Sequence, residues 1–114
     1  MEFQELPEFE RDLKKLLKKF RSLEDDLETV KKVLSVQPEA QPPLSFRLTG
    51  YNEQKHLVKM KKVTCKALKG RGSNSGLRII YEYQKDVQKI IFVEIYFKAE
   101  SELEDKGRIK RYYK

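Results

Sequence analysis

The chain has 114 residues, of which 39% are hydrophobic and 38% charged, and a net charge of +7. This is the length of one domain with a modest core, and residues 1–114 are read as a single domain. No run approaches the roughly 20 apolar residues of a membrane helix, and no signal-peptide pattern opens the chain. The lone cysteine, Cys65, excludes an internal disulfide, and with a single histidine beside it no structural zinc site is expected. A cytoplasmic protein that needs no cofactor fits these limits.

Residues 1–6 read as a short edge strand. From Pro7 a helix is predicted, because proline suits a first helical turn and Glu8, Glu10 and Asp12 favour the positive end of the helix dipole. Phe9, Leu13, Leu16, Leu17 and Phe20 form one apolar stripe. Ser22 reads as the N-cap of a second helix, with Asp25 and Asp26 in its first turn and Leu23, Leu27, Val30 and Leu34 as its stripe. Two helices joined by about two residues make an antiparallel hairpin.

Residues 36–56 change character. Pro38, Pro42 and Pro43 forbid a regular helix, and Gly50 with Asn52 marks a turn. The stretch is expected to be an extended internal connection. Three strands follow, about Leu57–Leu68, Gly76–Gln84 and Lys89–Phe97. Asp86 lies in the short link of a hairpin between the last two. The third, KIIFVEIYF, is apolar on both faces and reads as a strand covered on both sides. In the charged segment Glu100–Lys114 the first half has helix propensity, and Gly107 weakens it.

The charge is not spread evenly. Residues 55–78 hold Lys55, Lys59, Lys61, Lys62, Lys66, Lys69, Arg71 and Arg78 and no acidic residue, so this one segment carries the excess. A concentrated basic patch is the footprint of a polyanion. Side chains alternate along strands. If the helices pack on the apolar side, the other side displays Lys62, Lys66, Arg78, Glu82, Glu94, Tyr96 and Lys98, rimmed by Lys69, Arg71 and the small residues of KGRGSNSG. Cations on strands can hold one phosphate in one orientation, and arginine does so with a planar fork. Alternatively, Arg78 pairs with Glu82 or Glu94 across strands. Tyr81, Tyr83 and Cys65 read as core, and His56 as a surface residue.

Two N-terminal helices, a strand ending in CKALKG, a strand GLRIIYEY containing Gly76, Arg78 and Tyr81, the strand IIFVEIYFK and a charged C-terminal helix resemble the RelE/ParE superfamily of type II toxin–antitoxin toxins. The resemblance covers most of the chain, with residues 36–56 as an extension. It implies an α+β fold: an N-terminal helical hairpin packed on a small, mostly antiparallel twisted sheet, with a C-terminal helical segment. For the RelE-like branch it implies a ribosome-dependent, metal-independent mRNA endonuclease. In such an enzyme the 2′-OH attacks the adjacent phosphorus, a basic side chain takes its proton, and cations stabilise the added charge.

The resemblance implies Lys66, Arg78, Lys98 and Tyr96 as catalytic residues. Lys62, Lys69, Arg71 and Arg111 would bind nucleic acid. It also implies the ribosome, mRNA and a cognate antitoxin as partners, with no membrane and no metal. Family members often carry a tyrosine or histidine soon after the last strand, and KAESELEDKG holds neither. ParE-like members, which inhibit DNA gyrase, and non-catalytic members that bind RNA or antitoxin are the alternatives.

Overall fold

A computed structural model describes residues 1–114. The elements, in chain order, are β1 (Glu2–Glu5), α1 (Pro7–Leu17), α2 (Leu23–Val36), β2 (Ser45–Arg47), β3 (His56–Met60), β4 (Leu77–Gln84), β5 (Lys89–Phe97) and α3 (Lys106–Tyr112). One five-stranded sheet has the order β1-β5-β4-β3-β2. β1 runs parallel to β5, and the remaining neighbours are antiparallel.

The sheet is therefore mixed, which corrects the expectation of a mostly antiparallel sheet under a helical hairpin. The hairpin does not pack as a unit. α1 lies along β5, with Phe9 stacked on Phe92 at 5.2 Å between ring centroids. Phe3 of β1 stacks on the same ring at 5.9 Å. From the α1–α2 link, Phe20 meets Phe97 at 4.4 Å. The stripe Leu23, Leu27, Val30 and Leu34 of α2 is buried as its spacing predicts. Each such side chain withdrawn from water contributes roughly 2 kcal/mol. The direction of β1 was not legible because its partner lies more than 80 residues away in the chain.

β5 is an interior strand, flanked by the edge strand β1 and by β4, in keeping with its apolar run. A bulge changes its faces. Ile80 pairs with Glu94 but Tyr81 pairs with Phe92, so Val93 is left over. Strict alternation would place Ile91 on the side of Val93, Ile95 and Phe97. With the extra residue Ile91 faces the other way, in register with Glu82.

Four other features differ from the sequence reading. β2 falls inside the proline-rich connection and pairs along β3. β3 ends at Met60 rather than running to residue 68, because the N–H groups of Lys61 and Lys62 both turn to Leu44 O. The chain then crosses to α2, where both carboxylate oxygens of Asp26 accept the Lys66 N–H at 3.2 Å. Ser22 precedes α2 but does not cap it. Its hydroxyl donates to Asp26 Oδ2 and accepts the Ala67 N–H, so it ties down the loop instead. Finally, the C-terminal helix forms in the second half of its segment. Asp105 caps it by accepting the Arg108 N–H at 3.0 Å, and Gly107 falls in its first turn. No helix is long and apolar enough to cross a membrane.

Candidate nucleic-acid interface

The face of the sheet away from α1 and α2 has two halves. Residues 99–114 lie over one of them. Asp105 N–H donates to Glu94 Oε1 at 2.8 Å, and Tyr113 OH donates to Glu82 Oε1 at 3.0 Å. The Asn52 N–H in turn holds Tyr113 O at 2.9 Å. Glu82 and Glu94 are consequently 3% and 6% exposed. Burial, above all, pushes the Glu94 carboxyl up to about 7. The two carboxylates expected on an open cationic floor are thus withdrawn beneath the C-terminal segment. Neither pairs with Arg78.

The other half is an open corner. Arg78 of β4 is in register with Tyr96 of β5. The Lys98 N–H donates to Gly76 O at 2.9 Å, which continues the ladder by one residue and makes Lys98 the diagonal neighbour of Arg78. Arg78 Nη1 donates to Lys61 O at 2.8 Å, so one arm of the guanidinium is braced while the rest of the fork stays available. Lys61 lies over the ring of Phe46 with its ammonium 5.0 Å from the centroid. Phe46 belongs to β2, in register with Lys59, and so to the same face. Lys59 closes the corner by pairing with Glu104 at 2.8 Å, and it also lies 5.9 Å from the Tyr96 ring centroid.

The candidate residues separate accordingly. Arg78, Tyr96 and Lys98 come together. Tyr96 is buried, its hydroxyl has no hydrogen-bond partner, and burial raises its pKa. Its phenol is poorly placed to exchange a proton with a ligand. Lys62 donates to Asn74 Oδ1 at 2.6 Å, and Lys69 and Arg71 are exposed on the same loop. Lys66 is also exposed, but its segment is pinned to α2. With Lys62 it borders a cavity of about 330 Å³ between α2 and the β2–β3 end of the sheet. Arg111 on α3 pairs with Glu8 at 3.5 Å, away from the corner. Sequence reasoning missed Phe46 because its strand lies among prolines. The alternation of Ser45, Phe46 and Arg47 was the available signal.

The fold and this corner define a small mixed-sheet protein with α1 and α2 on one sheet face and the C-terminal segment and clustered cations on the other. No family model matches the chain, and no curated protein matches it. Among solved structures, it is similar to the solution structure of the conserved hypothetical protein HP0892 from Helicobacter pylori. The TM-score is 0.58 and the identity 22%, over 88% of this chain and 97% of that one. At this identity the likeness is one of fold.

Proposed function

We propose that this chain is the toxin of a type II toxin–antitoxin system, acting as a ribosome-dependent mRNA endonuclease that a cognate antitoxin restrains. One observation carries the reading. Arg78 and Lys98 stand side by side on an open sheet corner, while the carboxylates that would repel RNA are buried under residues 99–114. Arg78 is preorganised by its bond to Lys61 O. Its free N–H groups suit two oxygens of one phosphate, and Lys98 adds a second charge beside them. The RNA 2′-OH bonds to the adjacent phosphorus and its proton passes to solvent water, the P–O5′ bond breaks, and the leaving 5′ oxygen takes up a proton, giving a 2′,3′-cyclic phosphate and a 5′-OH end; on the way negative charge grows on the phosphate oxygens. Cations already fixed there stabilise that charge without reorganising. Lys61, Lys62, Lys69 and Arg71 extend the positive surface along the RNA backbone.

The test is primer extension on a defined mRNA translated in a purified system. The wild-type protein is expected to cut within codons only when ribosomes are present. Arg78→Ala is expected to lose at least about 100-fold in rate, the scale of one transition-state contact to a developing anion. No cleavage by the folded wild-type protein would overturn the nuclease reading.

The burial of the Tyr96 hydroxyl favours a second reading. With no tyrosine or histidine acid–base group on the open corner, a ParE-like inhibitor of DNA gyrase is the alternative. Inhibition of gyrase supercoiling by a protein that cuts no mRNA would establish it.

A further inference from the structure

We propose that Phe46 is a base-stacking platform for single-stranded RNA, placed so that one nucleotide's base lies on its ring while a neighbouring phosphate lies on Arg78. This rests on the RNA reading above and identifies how that site would hold the substrate.

Phe46 is a large aromatic side chain left 37% exposed on an edge strand. Its register with Lys59 places it on the same face as Arg78 and Tyr96. Phe46 stands on β2 and Arg78 on β4, two strands across the sheet and two residues along it, hence about 12 Å between their backbone positions. That spacing suits adjacent groups of one nucleic-acid strand. No free carboxylate intervenes, since Glu104 is held by Lys59 and both Glu82 and Glu94 are covered.

The one group on the ring is the exposed ammonium of Lys61. An exposed cation–π contact contributes about 0.5–1 kcal/mol, whereas stacking a base on an aromatic ring contributes about 1–3 kcal/mol. A base therefore displaces Lys61 from the ring. The Lys61 backbone stays beside Arg78, which donates to its carbonyl, so the freed ammonium swings on a tether fixed at that point. It is then available for a phosphate. Ring, lysine and arginine thus form a diagonal run from β2 to β4, reading a base by its π-face, with no preference for its edge.

The experiment uses a short single-stranded RNA carrying 2-aminopurine, whose fluorescence is quenched by stacking. Binding is measured against salt for the wild type, Phe46→Tyr, Phe46→Leu, Phe46→Ala and Arg78→Ala. The wild type and Phe46→Tyr are expected to bind and quench alike. Phe46→Leu keeps the apolar packing but has no π-face; it and Phe46→Ala are expected to bind about 5- to 100-fold more weakly and to lose the quench. The salt dependence of both should be unchanged, whereas Arg78→Ala should weaken binding with a shallower salt slope. RNA binding by the wild type with full affinity and quench in Phe46→Leu would overturn the platform and leave the RNA reading standing. No RNA binding by the folded wild type would also overturn the platform, while the nuclease reading stands or falls on the primer-extension test.

Discussion

Glu94 shows how position on a strand decides the chemistry of a side chain. In the sequence it is one of two carboxylates on a basic face. In the fold it is buried, accepts the Asp105 N–H, and has its carboxyl raised to about 7, mainly by that burial. The folded chain therefore binds this proton more tightly than the unfolded chain, whose glutamate titrates near 4.5. Stability from this group is fully present below the unfolded value and is lost as pH rises through the folded one. Thermal unfolding should thus show a fall in Tm between about pH 5 and 7 that Glu94→Gln removes, since the amide oxygen still accepts from Asp105 and never ionises. A wild-type profile that is flat there, or a variant that retains the fall, would contradict this account. Cys65 and Tyr81 are buried as their surroundings in the sequence suggest. His56 is not the surface residue expected. It is half-buried at the start of β3, edge-on to Tyr83 at 5.6 Å, with Nε2 unpartnered.

Among the elements, the C-terminal segment departs most from its sequence pattern. Its acidic first half stays irregular because Glu104 goes to Lys59 and the Asp105 N–H goes to Glu94, contacts made across the sheet. α3 is only 7 residues long and too short to persist alone. Arg108 holds it in place by reaching the bulge carbonyl Val93 O at 3.0 Å and Asp12 of α1 at 2.7 Å. Arg108→Ala removes both contacts and leaves Asp12 without its partner. It should cost about 3 kcal/mol in urea denaturation. The cost should be less than additive with Asp12→Ala. Full additivity would mean that the pair does not couple the segment to α1. The start of α1 and the β4 and β5 boundaries, by contrast, followed from Pro7, from apolar period and from the turn at Asp86. All three depend on near neighbours in the chain. The end of α1 did not follow: it falls at Leu17, short of the Phe20 that its stripe had included.

For the molecule as a whole, the cations of residues 55–78 do not act as one patch. Lys59 is committed to Glu104, Lys62 and Lys66 border the cavity by α2, and Lys61 and Lys98 flank Arg78 at the open corner. If Lys61, Arg78 and Lys98 each meet a phosphate of single-stranded RNA, log affinity should fall with log salt at a slope of about −2. A slope near zero would show that the corner does not act through phosphate contacts.

By itself the sequence determined which segments become helices and most of the strands, which residues fill the core, and where the net charge lies. These depend on local period, proline and glycine placement and composition, all contained in short windows of chain. Only the tertiary structure decided that β1 runs parallel to β5, that Glu82 and Glu94 are hidden, that Lys66 leaves the sheet after Met60, and that Phe46 stands two strands from Arg78. Each of these depends on which distant segments pair, and pairing is set by the packing of the whole chain, which no short window of residues encodes.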